Sequence, residues 1–164
     1  MYPVFYESIS APFRQRPGRA QALATADKAL VAVVAAAFVG IGAWLAVHHD
    51  ARIVRYLVVC TVSFAGLSAL RAGLNRPRPY EAHAINPLVK KDTCGKSFPS
   101  RHVFSATVIS CALLWLNVAL GIAGFIATAA LSALRVVGGV HFPRDVIVGA
   151  ALGIVCGLIG FWAI

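Results

Sequence analysis

Residues Ala29–Val47 read ALVAVVAAAFVGIGAWLAV, 19 positions without a single charge. A helix that crosses the hydrocarbon layer of a bilayer needs about 20 such residues, with a range of roughly 17–25. Four further apolar runs follow. Ile53–Leu70 is interrupted only by Arg55, close enough to its end for the side chain to snorkel to the headgroups. Val103–Leu116 and Val118–Leu134 are nearly continuous, with Asn117 between them and Gly121 close behind, and Val146–Ile164 completes the set. The expected fold is all-α: an integral membrane bundle of about five transmembrane helices, the third of them short. Gly149, Gly153 and Gly157 recur every four residues on the last run, a stripe that lets a neighbouring helix approach closely.

Composition points the same way. The 164-residue chain is 59% hydrophobic and 13% charged, against about 45–50% and 25% in soluble domains. Its mean hydropathy is +0.77, which excludes disorder and argues against an ordinary cytosolic enzyme. Fifteen Lys and Arg oppose six acids, a net charge of +9. Such a balance suits either a membrane protein with basic loops or a binder of polyanions. The oil content favours the membrane protein. Cys60, Cys111 and Cys156 fall in apolar runs and read as small buried hydrophobes, while Cys94 is the one loop cysteine. No metal-binding cysteine spacing is present.

Two segments are not apolar. Residues 1–28 combine Arg14, Arg16, Arg19 and Lys28 with Tyr2, Phe5, Tyr6 and Phe13. They read as an N-terminal segment lying on the headgroups, ahead of a membrane domain spanning 29–164. A cleavable signal fits less well, because the first apolar run is long and ends in His48-His49-Asp50. Between the second and third runs lies the long polar loop Arg71–Arg101. It carries Arg71, Arg76, Arg78, Lys90, Lys91, Lys96 and Arg101 together with Pro77, Pro79, Pro87 and Pro99.

Three clusters carry chemistry: Arg71 through Arg78-Pro79, Ser97-Phe98-Pro99-Ser100-Arg101-His102 opening the third span, and Arg135, His141 and Asp145 before the last. Two crossings separate the loop from Arg135–Asp145, so all three clusters return to one membrane face. Guanidinium forks match phosphate oxygens bidentately, so Arg71, Arg78 and Arg135 together can neutralise a phosphoryl group. Ser100 offers a hydroxyl at a helix start, and the free N–H groups of Arg101 and His102 form an anion seat there. Pro143 starts the last helix, which places Asp145 in its first turn, within reach of the His141 ring. A carboxylate on one ring nitrogen makes the other a better nucleophile or base. His102, on another helix, supplies the complementary acid. Taken singly, these residues have bland readings as headgroup anchors or helix-dipole partners. Arg76 and the Lys90-Lys91 pair keep such a reading, as solvated or lipid-facing charges.

In Arg71-x6-Arg78-Pro79, Pro99-Ser100-Arg101-His102 and Leu134-Arg135-x5-His141-x3-Asp145, the chain resembles the type 2 phosphatidic acid phosphatase (PAP2) superfamily. The resemblance covers roughly Ile53–Gly157. It implies a multi-pass membrane phosphatase of lipid phosphate monoesters or pyrophosphates, with no metal or other cofactor. By that resemblance His141 attacks phosphorus to form a phosphohistidine, Asp145 orients it, and His102 protonates the leaving group and then activates water. Arg71, Arg78, Ser100, Arg135 and the Arg101 backbone N–H hold the phosphoryl oxygens. Three positions depart from the family pattern: Arg71 replaces a lysine, Arg101 a glycine and Leu134 a serine. Candidate substrates are polyprenyl pyrophosphates or phosphates, phosphatidate and phosphatidylglycerol phosphate.

Two rival functions belong to other classes. One is a lipid-phosphate-binding membrane protein weakened in turnover by the three departures. The other is a vanadate-dependent haloperoxidase, a resemblance opposed by the oil content. A nucleic-acid partner is not expected, since only Tyr80 and Phe98 are available for stacking in the basic loop. The expected location is the cell membrane. The four basic N-terminal residues are opposed by Arg52 and Arg55, so charge leaves the face of the site open; the sequence carries no signal for the oligomeric state.

Overall fold

The computed structural model describes residues 1–16, 18–91 and 93–163. Helix α1 (Tyr2–Arg14) is followed by α2 (Arg19–Val47) and α3 (Arg52–Leu74), then by the single turn α4 (Pro79–Ala82) within the polar loop. The chain then forms α5 (Arg101–Leu116), α6 (Val118–Val137) and α7 (Pro143–Leu158), which continues as a wider π-helical turn over Ile159–Ala163. No strand occurs among the described residues.

Four helical stretches are long and apolar enough to cross a bilayer: Arg19–Val47, Arg52–Ala82, Val118–Val137 and Pro143–Ala163. The fifth helix, α5, has 16 residues and spans about 24 Å, which makes it the short third member expected from the sequence. Helix α2 begins ten residues ahead of the Ala29 apolar run. Gly18, at φ 85°, breaks the chain from α1, and the alanine-rich stretch after it favours helix well before the residues become purely apolar. At 29 residues α2 extends about 44 Å, so its first turns rise beyond the hydrocarbon layer.

Helix α5 is the axis of the bundle. Val103, Phe104 and every residue from Ala106 to Ala112 are buried, which explains why the run has no polar face. Helix α6 folds back on it through Asn117 alone. The Asn117 side chain accepts from Leu120 N at 3.1 Å, capping α6, and Gly121 presses against the Leu114 backbone. The glycine stripe of α7 packs on the other side of α5. A Cβ at Gly149, Gly153 or Gly157 would meet Ser100 O at 2.8 Å, Thr107 Cβ at 2.7 Å or Cys111 Cβ at 2.5 Å. Side chains at those positions would push α7 off the helix that begins at Ser100.

The apolar core joins Ile41 and Leu45 of α2, Tyr56 and Leu67 of α3, and Phe104 and Val108 of α5. Tyr56 satisfies its hydroxyl by donating to Phe38 O at 2.8 Å. Outside this core, Val33, Val39, Val58, Val62, Ile126 and Ile147 are exposed. Only 11–33% of each long span is buried within the protein, so the outer faces require an apolar solvent. The chain is a multi-pass membrane protein. Its cysteines are free: Cys60 and Cys111 are buried, Cys156 is half-buried and Cys94 is exposed.

Candidate active site

The site forms where the polar loop, the start of α5 and the α6–α7 connection converge. Arg71 occupies the last turn of α3, which stops at Asn75 in a left-handed conformation (φ 37°). Its guanidinium is buried and donates to the carbonyls of Lys96 and Pro99, tying the loop to the helix that delivered the charge. Arg78 opens α4. Its backbone N–H donates to Glu81 Oε2 at 2.7 Å, while its side chain donates to Gly95 O at 3.1 Å and Val140 O at 3.5 Å. Glu81 also accepts from Gly95 N at 2.9 Å, so both ends of the loop are pinned by α4.

Ser100 occupies the N-cap position of α5, without a side-chain cap bond, and is fully buried. Its N–H donates to Asp145 O at 2.8 Å, which joins the second and third sequence clusters directly. The Ser100 hydroxyl has no hydrogen-bond partner among the described residues. The first N–H groups of α5 are likewise free of intrahelical partners, as at every helix start. Arg135, in the last turn of α6, is 2% exposed. Its Nε lies 2.9 Å from Asp27 Oδ1, at an angle that leaves both atoms without a formal hydrogen bond, and its NH1 group has no hydrogen-bond partner among the described residues.

His141 lies in the turn between α6 and α7. Its N–H and that of Val140 both donate to Arg135 O, at 3.2 and 3.1 Å, so the backbone of Arg135 also holds the histidine. Gly139, at φ 75°, allows that turn, and a Cβ there would come within 2.7 Å of the Tyr6 hydroxyl. Asp145, the third residue of α7, is fully buried and accepts from Phe142 N at 3.1 Å and from Ser97 Oγ at 2.5 Å through Oδ2. The same oxygen lies 3.5 Å from His141 Nδ1. The first-turn position serves two ends: the carboxylate caps the helix and faces the imidazole.

Burial pushes the His141 imidazole down to about 4; the hydrogen bond to Asp145 works against burial, and the charges of Arg78 and Arg135 work with it. At neutral pH the ring is therefore uncharged. With the carboxylate on the Nδ1 side, the proton belongs on Nδ1 and a lone pair on Nε2. Histidine-selective ¹⁵N NMR of the detergent-solubilised protein, assigned by comparison with His141→Asn, is expected to report a neutral Nδ1–H tautomer at pH 6. A His141 midpoint near the ordinary 6.5 would contradict this electrostatic picture.

Six of the eight sequence-derived residues, Arg71, Arg78, Ser100, Arg135, His141 and Asp145, are thus buried around one locus. The other two stand at its edge. His102 is half-buried, within electrostatic range of His141 and Arg135. Arg101 is exposed, and its guanidinium lies over the Phe64 ring, 5.5 Å from the centroid. Both line one end of a cavity of about 480 Å³ between α2, α3 and α5, whose walls include Val34, Phe38, Phe64 and Val108.

Three polar residues at this locus had been given no part in the site by the sequence. Ser97, the first residue of the second cluster, sits 3.4 Å from His141 Nδ1 as well as on Asp145. Lys91 is half-buried, where a solvated or lipid-facing charge was expected. Burial, then the charge of Arg135, pushes its ammonium down to about 8. Asp27 is 3% exposed, and its signal was its isolation as the one acid between Glu7 and Asp50. Behind the site, α1 packs on the loop. Tyr6 accepts from Leu88 N at 3.1 Å, Arg14 donates to Asn86 O, and the Tyr2 ring lies 4.7 Å from that of Phe142.

Residues 52–164 match the family model described as the PAP2 superfamily. No curated protein is significantly similar to the chain in sequence. Among solved structures, the crystal structure of Aquifex aeolicus LpxE superposes with a TM-score of 0.76 at 22% identity, covering 95% of this chain and 92% of that one. The first transmembrane PAP2 type phosphatidylglycerolphosphate phosphatase from Bacillus subtilis superposes with a TM-score of 0.57, also at 22% identity, over 98% and 94% of the two chains. These likenesses are of fold.

Proposed function

The chain belongs to the PAP2 superfamily, and from that premise we propose that it is a cell-membrane phosphatase that hydrolyses a phosphate monoester or pyrophosphate on a lipid through a phosphohistidine at His141. The observation that supports this reading most is the set of buried donors without partners, Ser100 Oγ and Arg135 NH1, beside an imidazole kept neutral by burial. Buried polar groups are almost always satisfied, and a phosphoryl group supplies the missing acceptors. The cage neutralises the phosphoryl charge with guanidinium groups, so the reaction is proposed to need no metal ion.

In the first step His141 Nε2 attacks phosphorus, and the bond from phosphorus to the lipid oxygen breaks. His102, protonated once the anionic phosphate of the substrate lies beside it, gives that proton to the leaving oxygen. In the second step water attacks phosphorus while His102 takes the proton back. The P–N bond breaks, phosphate leaves, and His141 regains its lone pair. Ser100, Arg135 and the first N–H groups of α5 stabilise the charge that builds on the equatorial oxygens, and Arg71 and Arg78 add positive potential from the loop they hold. The cavity between α2, α3 and α5 suits the hydrocarbon tail, because it is apolar along its length and ends at His102. Residues 1–28 are proposed to lie at the interface, with 29–164 as the phosphatase domain.

Purified protein in detergent with EDTA is expected to release phosphate from at least one of polyprenyl pyrophosphate, phosphatidate and phosphatidylglycerol phosphate. The order of rates across that panel would name the substrate class. Folded protein that releases none of them would move the reading to a lipid-phosphate-binding protein. Release that requires a restored divalent cation would refute the metal-free mechanism.

A further inference from the structure

We infer that Asp27, on a helix outside the matched family region, is a positioning residue of the phosphate site that fixes the guanidinium of Arg135. The inference rests on the proposed phosphatase reading for its kinetic consequences, although not for the geometry behind it. Asp27 and Arg135 meet at 2.9 Å between Oδ1 and Nε, with side chains 4% and 2% exposed. Helix α2 lies before residue 52, where the family match begins.

A buried ion pair is weak evidence for stability, since desolvating two charges offsets most of their attraction, and an apolar pair of similar volume often serves as well. Its value here is directional. The Asp27 carboxylate lies against Nε, with Oδ1 at 2.9 Å, while among the described residues NH1 is buried with no hydrogen-bond partner. An arginine held on one edge presents its remaining N–H groups in a fixed plane, which two-point recognition of phosphoryl oxygens requires. Without Asp27 the side chain would retain its charge but lose that plane.

The position of the pair extends its reach. Val31, one turn along α2 from Asp27, and Leu131, one turn along α6 from Arg135, both line the apolar cavity. Asp27 therefore ties the cavity wall to the phosphate cage, one turn beyond the His102 end. The Arg135 carbonyl holds the N–H of His141, so the same residue carries the nucleophile's backbone and the clamped guanidinium. Lys91, in the loop between α4 and α5, also lies within electrostatic range of Asp27.

The test uses full-length protein in detergent carrying Asp27→Ala, Asp27→Asn or Asp27→Glu. Two readouts apply: steady-state hydrolysis of the best substrate in the panel, and stabilisation against thermal unfolding by orthovanadate, an inorganic phosphate mimic. Partners that orient metal ligands are worth roughly 10–100-fold when removed, and a carboxylate that orients a phosphate-binding arginine is expected to fall in the same range. Asp27→Ala is expected to lower kcat by about that factor with KM changed less than about threefold, and to weaken orthovanadate stabilisation in parallel. Asp27→Glu should recover part of both. In an Arg135→Ala background, Asp27→Ala should cost nothing further, because the group it positions is gone. If Asp27→Ala does not fold, the isosteric Asp27→Asn carries the same comparison. Folded variants with kcat and orthovanadate stabilisation within about twofold of the native chain would overturn the inference, whatever their unfolding temperature. A native chain that is stabilised by orthovanadate but releases no phosphate would sink the phosphatase reading and still leave the orthovanadate comparison to judge Asp27.

Discussion

Replacing His141 with alanine is expected to reduce lipid-phosphate hydrolysis by at least about 10⁴-fold, a loss of roughly 5 kcal/mol of transition-state stabilisation. No other side chain at the locus combines burial, a neutral ring and a carboxylate within 3.5 Å. The phosphate cage would survive the substitution, since Arg71, Arg78 and Arg135 are held by backbone carbonyls and by Asp27 rather than by the histidine. Binding should therefore persist where turnover does not. Brief reaction with substrate radiolabelled in the phosphoryl group, followed by alkaline quench, is expected to trap acid-labile label on the native chain and none on His141→Ala. A His141→Ala protein that keeps more than about a tenth of native activity would end the phosphohistidine mechanism.

Asp145→Asn should be the second most damaging isosteric change, lowering kcat by about 10²–10⁴-fold with little change in KM. The upper figure is what the corresponding Asp→Asn change costs in serine protease triads, where the wrong imidazole tautomer is stabilised. Asp145 Oδ2 accepts from Phe142 N at 3.1 Å and Ser97 Oγ at 2.5 Å. An amide can keep its oxygen toward those two donors, so the α7 cap and the fold should be retained. What it cannot keep is the negative charge beside an imidazole that becomes cationic as the P–N bond forms. Because that charge matters only along the reaction path, the loss falls on kcat. A loss carried by a rise in KM, with kcat nearly unchanged, would instead assign Asp145 to ground-state binding.

The helical bundle was readable because lipid imposes a simple rule: every crossing segment must be apolar for about 20 residues. Ala29–Val47 met it outright, and the short α5 was visible as Val103–Leu116. The start of α2 was not, because its first ten residues form helix through alanine-rich propensity rather than through apolar length. The glycine stripe of α7 was legible as a packing surface, but its partner, α5 from Ser100 to Cys111, was not.

The site divides along the same line. Residues close in sequence reveal their relation through helical spacing. His141 and Asp145 are four apart, Ser100 stands at a helix start, and an even number of crossings returns all three clusters to one face. Those relations the amino-acid sequence determined alone, together with the apolar outer surface and the excess of guanidinium groups for an anion. Tertiary structure alone decided which polar groups meet across helices. It brought Asp27 of α2 onto Arg135 of α6, set Ser97 between His141 and Asp145, turned Arg101 over Phe64, and left Ser100 Oγ and Arg135 NH1 without partners. The physical reason is that a contact between distant segments depends on helix rotation and crossing, set by close packing such as that of Gly149, Gly153 and Gly157 against α5, and no local spacing encodes it.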